Sequence, residues 1–142
     1  MKPVYVKNYP ESVAFPKALG LAYDALVHGP VAFDAMEVWK SLSERVAQGV
    51  YMGEGLLLPH TRVSGLKEPL FAFVVCPQGF TDIQVKAGQV PRFMCLLLSP
   101  AESATAHTQF IAKIAYKLLN PAWREKALAA NTPELLNALF TE

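Results

Sequence analysis

Cysteines are scarce in this sequence, and so are the features that depend on them. Cys76 and Cys95 are its only 2 cysteines, and each lies inside an apolar stretch with no second cysteine nearby. Cysteines in such stretches are typically small core residues in a reducing compartment. A disulfide is therefore not needed, and a cysteine nucleophile is disfavoured because a thiolate would be poorly solvated there.

Long apolar runs and clusters of one charge are also missing. No stretch reaches the roughly 20 apolar residues of a membrane-spanning helix, and residues 1–15 lack the apolar run of a secretory signal. The 13 basic residues balance 12 acidic ones and are scattered singly, whereas nucleic-acid-binding surfaces cluster them. We therefore expect a cytoplasmic protein that neither inserts into the membrane nor binds nucleic acid.

The chain does contain enough apolar residues for one core. Of its 142 residues, 52% are hydrophobic and 18% are charged, and no repeat or low-complexity segment interrupts them. This composition is typical of an ordinary globular protein, and the length is too short for two independent cores. We expect one domain over residues 1–142.

Two amphipathic helices are predicted near the start of the chain. Apolar residues recur at helical spacing after Pro16, and Gly29-Pro30 ends the run, so the first helix is expected at about residues 16–28. A second run of the same kind ends near Gln48. Gly49 follows it and can adopt the left-handed conformation of a helix C-cap.

The pattern then changes to short apolar blocks, which predict strands. They lie at Leu56–Leu58, Leu70–Cys76 and Phe93–Leu98. The two longer blocks are almost continuously apolar, as in strands that helices cover on both faces. A sheet between helices is therefore expected.

Three more helices are predicted after the strands. Ser99–Glu102 has the pattern of a capping box with proline at the first helical position, so a helix is expected to begin there. Asn120-Pro121 and Thr132-Pro133 repeat the combination of a capping side chain and proline, and the last helix should end near Phe140. The predicted order is two helices, the strands and three helices.

The 3 histidines have different settings. His28 ends the first predicted helix, where an imidazolium would favour the helix dipole, so a capping or surface role is expected. His60 follows Pro59 at the end of an apolar strand, a fixed position from which a ring nitrogen could accept a phosphoryl group. The same position also suits a histidine that only bonds to the backbone, and the spacing leaves both interpretations open.

A metal site is disfavoured by the spacing of the possible ligands. His60, His107 and the two cysteines have no short ligand spacing such as Cys-x-x-Cys. We expect neither a metal nor a cofactor.

Two segments resemble motifs of one known family. Gly53–His60 resembles the glycine-rich, apolar, Pro-His motif of phosphotransferase system enzyme IIA, of the fructose, mannitol and nitrogen-regulatory type, in which the final histidine is phosphorylated. Leu96–Pro100 followed by His107 resembles the family's second motif, whose histidine adjoins the phosphohistidine. The resemblance continues to Thr132–Leu136 and so covers nearly the whole chain.

The resemblance implies a fold and a function. The family fold is a three-layer α/β/α sandwich around a mixed sheet. By the same resemblance His60 is the phosphorylation site, with His107 beside it and Arg45 as a source of positive charge. A histidine-containing phosphocarrier would be the donor, and enzyme IIB or a regulatory target the acceptor. Tyr51 and Met52 are the expected exposed contacts for such partners.

The sequence also departs from the family pattern. Val46 replaces an acidic residue after Arg45, and residues 49–52 replace a Ser-Thr-Gly segment; residues 87–91 lack an acidic residue that is common in the family. The resemblance therefore implies a divergent member. An alternative function is a regulatory binding module of the same fold that acts by protein–protein contact, with phosphorylation lost or only modulatory.

Overall fold

The computed structural model describes residues 1–141 as a mixed six-stranded sheet between helices. The elements, in chain order, are β1 Tyr5–Asn8, α1 Phe15–Val27, α2 Ala35–Ala47, β2 Tyr51–Gly53, β3 Leu56–Leu57, β4 His60–Val63, β5 Leu70–Val75, β6 Phe93–Pro100, α3 Ala104–Leu119, α4 Pro121–Ala129 and α5 Pro133–Ala138.

Strand β6 lies at the centre of the sheet. It pairs antiparallel with β5 on one side, and on the other it pairs parallel first with β3 and then with β4. Parallel β1 continues the sheet beyond β5, and β2 lies outside β3. The register sets His60 opposite Leu97 and Arg62 opposite Ser99.

The sheet separates two helical layers, each with its own apolar core. Alternate residues of β6 face opposite layers, because side chains alternate across a strand. Leu96 and Leu98 pack with α1 and α2, whereas Cys95 and Leu97 pack with α3, α4 and α5. This arrangement confirms the predicted three-layer α/β/α sandwich around a mixed sheet.

Most predicted helix ends are close to the observed ones. Helix α1 ends at Val27, with His28 as its C-cap. Gly49 follows the C-cap of α2 with a φ of 111°, as predicted. The side chains of Asn120 and Thr132 cap α4 and α5, whose first residues are prolines.

The prediction that a helix begins at Ser99–Pro100 is wrong. Strand β6 continues through Pro100, where Ser99 pairs with Arg62 and is fully buried. The N-cap of α3 is Ser103, whose hydroxyl accepts the backbone N–H of Ala106 at 3.1 Å. Glu102 closes no capping box, since its carboxylate accepts the backbone N–H of Gly65 at 2.8 Å.

Three strands were not predicted. β1 has only four residues and β2 only three, while β4 begins at the residue where the sequence pattern suggested a strand end. β4 also alternates between half-buried and buried residues, so it lacks the continuous apolar signal of β5 and β6.

The cysteines are core residues, as predicted. Cys76 and Cys95 are both buried and free, and burial raises the pKa of each thiol. Separately, within residues 1–141 no helix has the length and apolar character needed to cross a membrane.

The corrected start of α3 can be tested by mutation. Ser103→Ala removes the capping hydroxyl and should lower the free energy of unfolding by about 1 kcal/mol. Thr105→Ala is the matched control, because Thr105 is exposed in the same turn and should change stability by less than about 0.5 kcal/mol. Urea denaturation measures both, and an equal loss in the two variants would contradict the assignment of Ser103 as the cap.

Candidate functional site

Strand β4 and helix α3 bring two of the predicted site residues together. His60 is the first residue of β4, and His107 lies in the first turn of α3. Their ring centroids are 5.7 Å apart and the ring planes are inclined by 36°. β6 makes this possible, because it pairs with β4 and then leads through a short loop into α3.

One ring nitrogen of His60 is held by the backbone. Nδ1 lies 2.8 Å from the carbonyl oxygen of Leu58. A carbonyl can only accept, so Nδ1 carries the hydrogen, and Nε2 of the neutral ring keeps its lone pair. Since His60 is only half-buried, this nitrogen is suited to act as a nucleophile.

His107 is tied to β6 by a side-chain hydrogen bond. Its Nδ1 lies 2.6 Å from Oγ of Ser99. Burial lowers the pKa of His107, and the positive charges of Arg62, of His60 when it is protonated, and of Arg45 lower it further. The ring is therefore mainly neutral at neutral pH.

Arg62 adds a positive charge that the sequence reasoning missed. It lies two residues after His60 on β4, so both side chains are on the same face of the sheet. Its Nε and Nη2 donate to the carbonyl oxygen of Pro100 at 3.2 and 3.1 Å, and Nη2 also donates to that of Ala101 at 3.1 Å. The spacing His60-Thr61-Arg62 would have indicated it had β4 been recognised as a strand.

Arg45 acts on the site through its charge, from a third element. It is exposed in the last turn of α2, and its charge is one of those that lower the pKa of His107. Helix α2 is fixed to β4 through the hydroxyls of Ser41 and Thr61, which share a hydrogen bond. Ser41 precedes Arg45 by one helical turn.

The glycine-rich turn has a structural role next to the site. Gly53, Glu54 and Gly55 all have positive φ, of 103°, 53° and 78°. A β-carbon on Gly55 would lie 3.1 Å from the carbonyl oxygen of Val90, so this position favours glycine on two counts. The Tyr51 hydroxyl accepts the Gly55 N–H at 3.0 Å, which supports the turn where the family usually has hydroxyl residues.

His28, the third histidine, lies away from His60 and His107. His28 caps α1 in the other helical layer, with Nδ1 2.9 Å from the Asp24 carbonyl oxygen.

Between residues 1 and 141, no group of three or more His, Cys, Asp or Glu side chains could hold a metal ion.

Comparison with known proteins gives one family. The model of the family described as "Phosphoenolpyruvate-dependent sugar phosphotransferase system, EIIA 2" matches residues 8–142. Among curated proteins, the chain is 31% identical over 90 residues to the 2-O-alpha-mannosyl-D-glycerate-specific EIIABC component of Escherichia coli. These 90 residues are 62% of this chain and 14% of that protein. It is 29% identical over 111 residues to a nitrogen regulatory protein of Pseudomonas aeruginosa, which is 78% of this chain and 71% of that protein.

Solved structures agree on the fold. Nitrogen regulatory protein IIA-Ntr from Neisseria meningitidis superposes with a TM-score of 0.77 at 20% identity, covering 96% of this chain and 94% of that one. IIA mannitol from Escherichia coli gives a TM-score of 0.74 at 16% identity, covering 96% and 95%.

The charge arrangement around His107 gives a testable pH dependence. Arg62→Gln removes a positive charge that opposes protonation, so the pKa of His107 should rise, and the ring should take up its proton at a higher pH than in the wild type. Titration of the His107 ring followed by NMR measures this shift. Arg92→Gln is the control, because the Arg92 guanidinium is bound to the Pro77 carbonyl oxygen and is not among the groups that affect His107. An unchanged or lower pKa in Arg62→Gln would contradict the assignment.

Proposed function

We propose that this chain, which belongs to the EIIA 2 family of the phosphoenolpyruvate-dependent sugar phosphotransferase system, is a phosphocarrier that binds a phosphoryl group on Nε2 of His60. The observation that supports this most directly is the hydrogen bond from Nδ1 of His60 to the Leu58 carbonyl oxygen. It leaves Nε2 as the nucleophile on a half-exposed ring.

The transfer step follows from this tautomer. The lone pair of Nε2 attacks phosphorus in line, a new P–N bond forms, and the P–N bond to the donor's histidine breaks. The donor ring carries hydrogen on its other nitrogen and is positively charged before transfer, so it leaves with the electron pair of the broken P–N bond as a neutral imidazole. Phosphorylated His60 carries positive charge on its ring, and the Leu58 carbonyl stabilises the Nδ1–H of that ring. Onward transfer repeats the step with His60 as the donor.

Three side chains would hold the phosphoryl oxygens. Arg62 and Arg45 supply positive charge, and the ring N–H of His107 supplies a hydrogen bond. Positioning and electrostatic stabilisation provide most of the catalysis in phosphoryl transfer. Arg62 is the better fixed of the two arginines, because it is bound to the carbonyl oxygens of Pro100, at the end of β6, and of Ala101.

The proposed partners are a histidine-containing phosphocarrier as donor and enzyme IIB or a regulatory target as acceptor. A solved complex of enzyme IIA mannitol with phosphorylated enzyme IIB mannitol from Escherichia coli has this fold, with a TM-score of 0.75 at 15% identity over 99% of this chain and 96% of that one. We propose that phosphoryl transfer between these partners takes place in the cytoplasm. We also propose that residues 1–142 form one EIIA domain.

An apolar groove along α3 is the proposed contact for these partners. It has a volume of about 110 Å³ between the glycine-rich turn and α3 and is lined by Leu58 and Ile111 among others. Met52 and Leu119 at its rim are 53% and 62% exposed. Tyr51 is a poorer contact than the sequence suggested, because it is half-buried and bonded to Gly55.

A regulatory binding module is the second candidate. Val46 and the segment Gly49–Met52 lack the acidic residue and the serine and threonine usual in the family, so the phosphoryl group has fewer partners. The similarity to a nitrogen regulatory protein favours the same function. In this case the histidine pair would be a contact surface, and phosphorylation would be absent or modulatory.

Phosphorylation of His60 can be tested directly. The purified protein, incubated with labelled phosphoenolpyruvate, enzyme I and a histidine-containing phosphocarrier, should gain one acid-labile label. His60→Ala should lose it completely, because the variant lacks the ring nitrogen that is proposed to accept the phosphoryl group. His28→Ala is the matched control and should be labelled like the wild type, since His28 is exposed at the C-cap of α1.

Two results would contradict the phosphocarrier. One is a wild-type protein that takes no label while a known enzyme IIA in the same mixture is labelled; this would favour the binding module. The other is full labelling of His60→Ala, which would move the acceptor to another residue.

A further inference from the structure

Ser99 is a polar residue in a strand that is otherwise apolar up to its closing proline. It is fully buried, near the end of β6. Its register partner on β4 is Arg62, so Ser99 lies on the face of the sheet that carries His60, Arg62 and helix α3. A buried hydroxyl needs a hydrogen-bond partner, and its partner is Nδ1 of His107 at 2.6 Å.

This contact leaves only one ring nitrogen of His107 for the site. Nδ1 is engaged by the hydroxyl, so any group bound beside His60 would meet Nε2. A neutral imidazole has one N–H and one lone pair, and the bond made by one nitrogen decides which of the two the other presents. A serine hydroxyl can donate or accept, so the chemistry around Nε2 has to decide the direction.

A phosphoryl group on His60 offers only acceptor oxygens. The tautomer with hydrogen on Nδ1 would set the Nε2 lone pair against them, which is repulsive. The tautomer with hydrogen on Nε2 offers them a donor, and it requires Nδ1 to accept from Ser99. The hydroxyl can make that bond without a second protein partner.

We propose that Ser99 is a positioning residue, which donates its hydroxyl hydrogen to Nδ1 of His107 and so keeps the neutral ring as the Nε2–H tautomer. The consequence for transfer rests on the proposed phosphorylation of His60, whereas the tautomer itself is a property of the free protein. The two can therefore fail separately.

The tautomer is measured by long-range ¹H–¹⁵N NMR of the histidine rings at a pH where His107 is neutral. The wild type should have hydrogen on Nε2 of His107. Ser99→Thr keeps the hydroxyl and should keep this tautomer. Ser99→Val has nearly the shape of the threonine variant but no hydroxyl, and it should give a mixture with a raised Nδ1–H population. His60 is the internal control and should keep hydrogen on Nδ1 in every variant, because the Leu58 carbonyl holds it. Ser99→Ala only removes an oxygen atom and replaces Ser99→Val if the larger side chains do not fit.

Transfer kinetics give a second readout that a purely structural role would not move. At a pH where His107 is neutral, Ser99→Val should slow phosphoryl transfer through His60 by about tenfold relative to Ser99→Thr, because one hydrogen bond of ordinary strength is lost. On acidification the ratio should fall toward one, since an imidazolium carries hydrogen on both nitrogens without help from Ser99. The charged groups acting on His107 are His60 and Arg62 from β4 and Arg45 from α2; they are the same in both variants and cancel in the ratio.

The proposal is overturned if wild-type His107 carries its hydrogen on Nδ1, or if Ser99→Val leaves both the tautomer and the transfer ratio unchanged. A protein that has the expected tautomer but takes no label on His60 would overturn the phosphocarrier and support the assignment of Ser99.

Discussion

The register between β4 and β6 is the constraint on which the site depends. A parallel pairing that slipped by one residue would turn His60 and Arg62 to the other face of the sheet, away from α3. The register is held because Thr61 and Val63 are buried against the layer of α1 and α2. Burial of one face of β4 thus fixes the orientation of the opposite face, where the half-exposed polar residues lie.

Pro59 and the glycine-rich turn both contribute to the position of His60. The turn positions β3 beside β6, where the backbone N–H groups of Arg92 and Phe93 both donate to the Gly55 carbonyl oxygen. Pro59 lies between the end of β3 and the start of β4, and Nδ1 of His60 bonds the carbonyl oxygen of Leu58, two residues earlier. The ring of His60 is therefore held by a local hydrogen bond, whereas the pairing with β6 decides on which face of the sheet it lies.

The sequence was sufficient for the parts of this site that depend on local pattern. Apolar periodicity and proline signals predicted the helices, β5 and β6, and the two histidine motifs identified His60 and His107. It was not sufficient for β4, whose four residues alternate in burial and follow a proline, and so Arg62 was missed. Ser99 was misread as a helix cap because Ser-Pro-x-Glu has the same composition at a strand end as at a helix start; the pairing with β4, which decides between them, is a long-range contact.

The electrostatics of the site favour a neutral His107 as long as no anion is present. Arg62 cannot move away from it easily, since two backbone carbonyls hold its guanidinium, and Arg45 adds charge from α2. Burial and these charges lower the pKa of His107 together, so the ring stays neutral, with one N–H, and does not add a third full positive charge to a partly buried cluster. A dianionic phosphoryl group would reverse this balance, because the same arginines would then face a negative charge that they can neutralise. The arginines that act on His107 are Arg62 of β4 and Arg45 of α2, and the departures at Val46 and Gly49–Met52 remove neither of them.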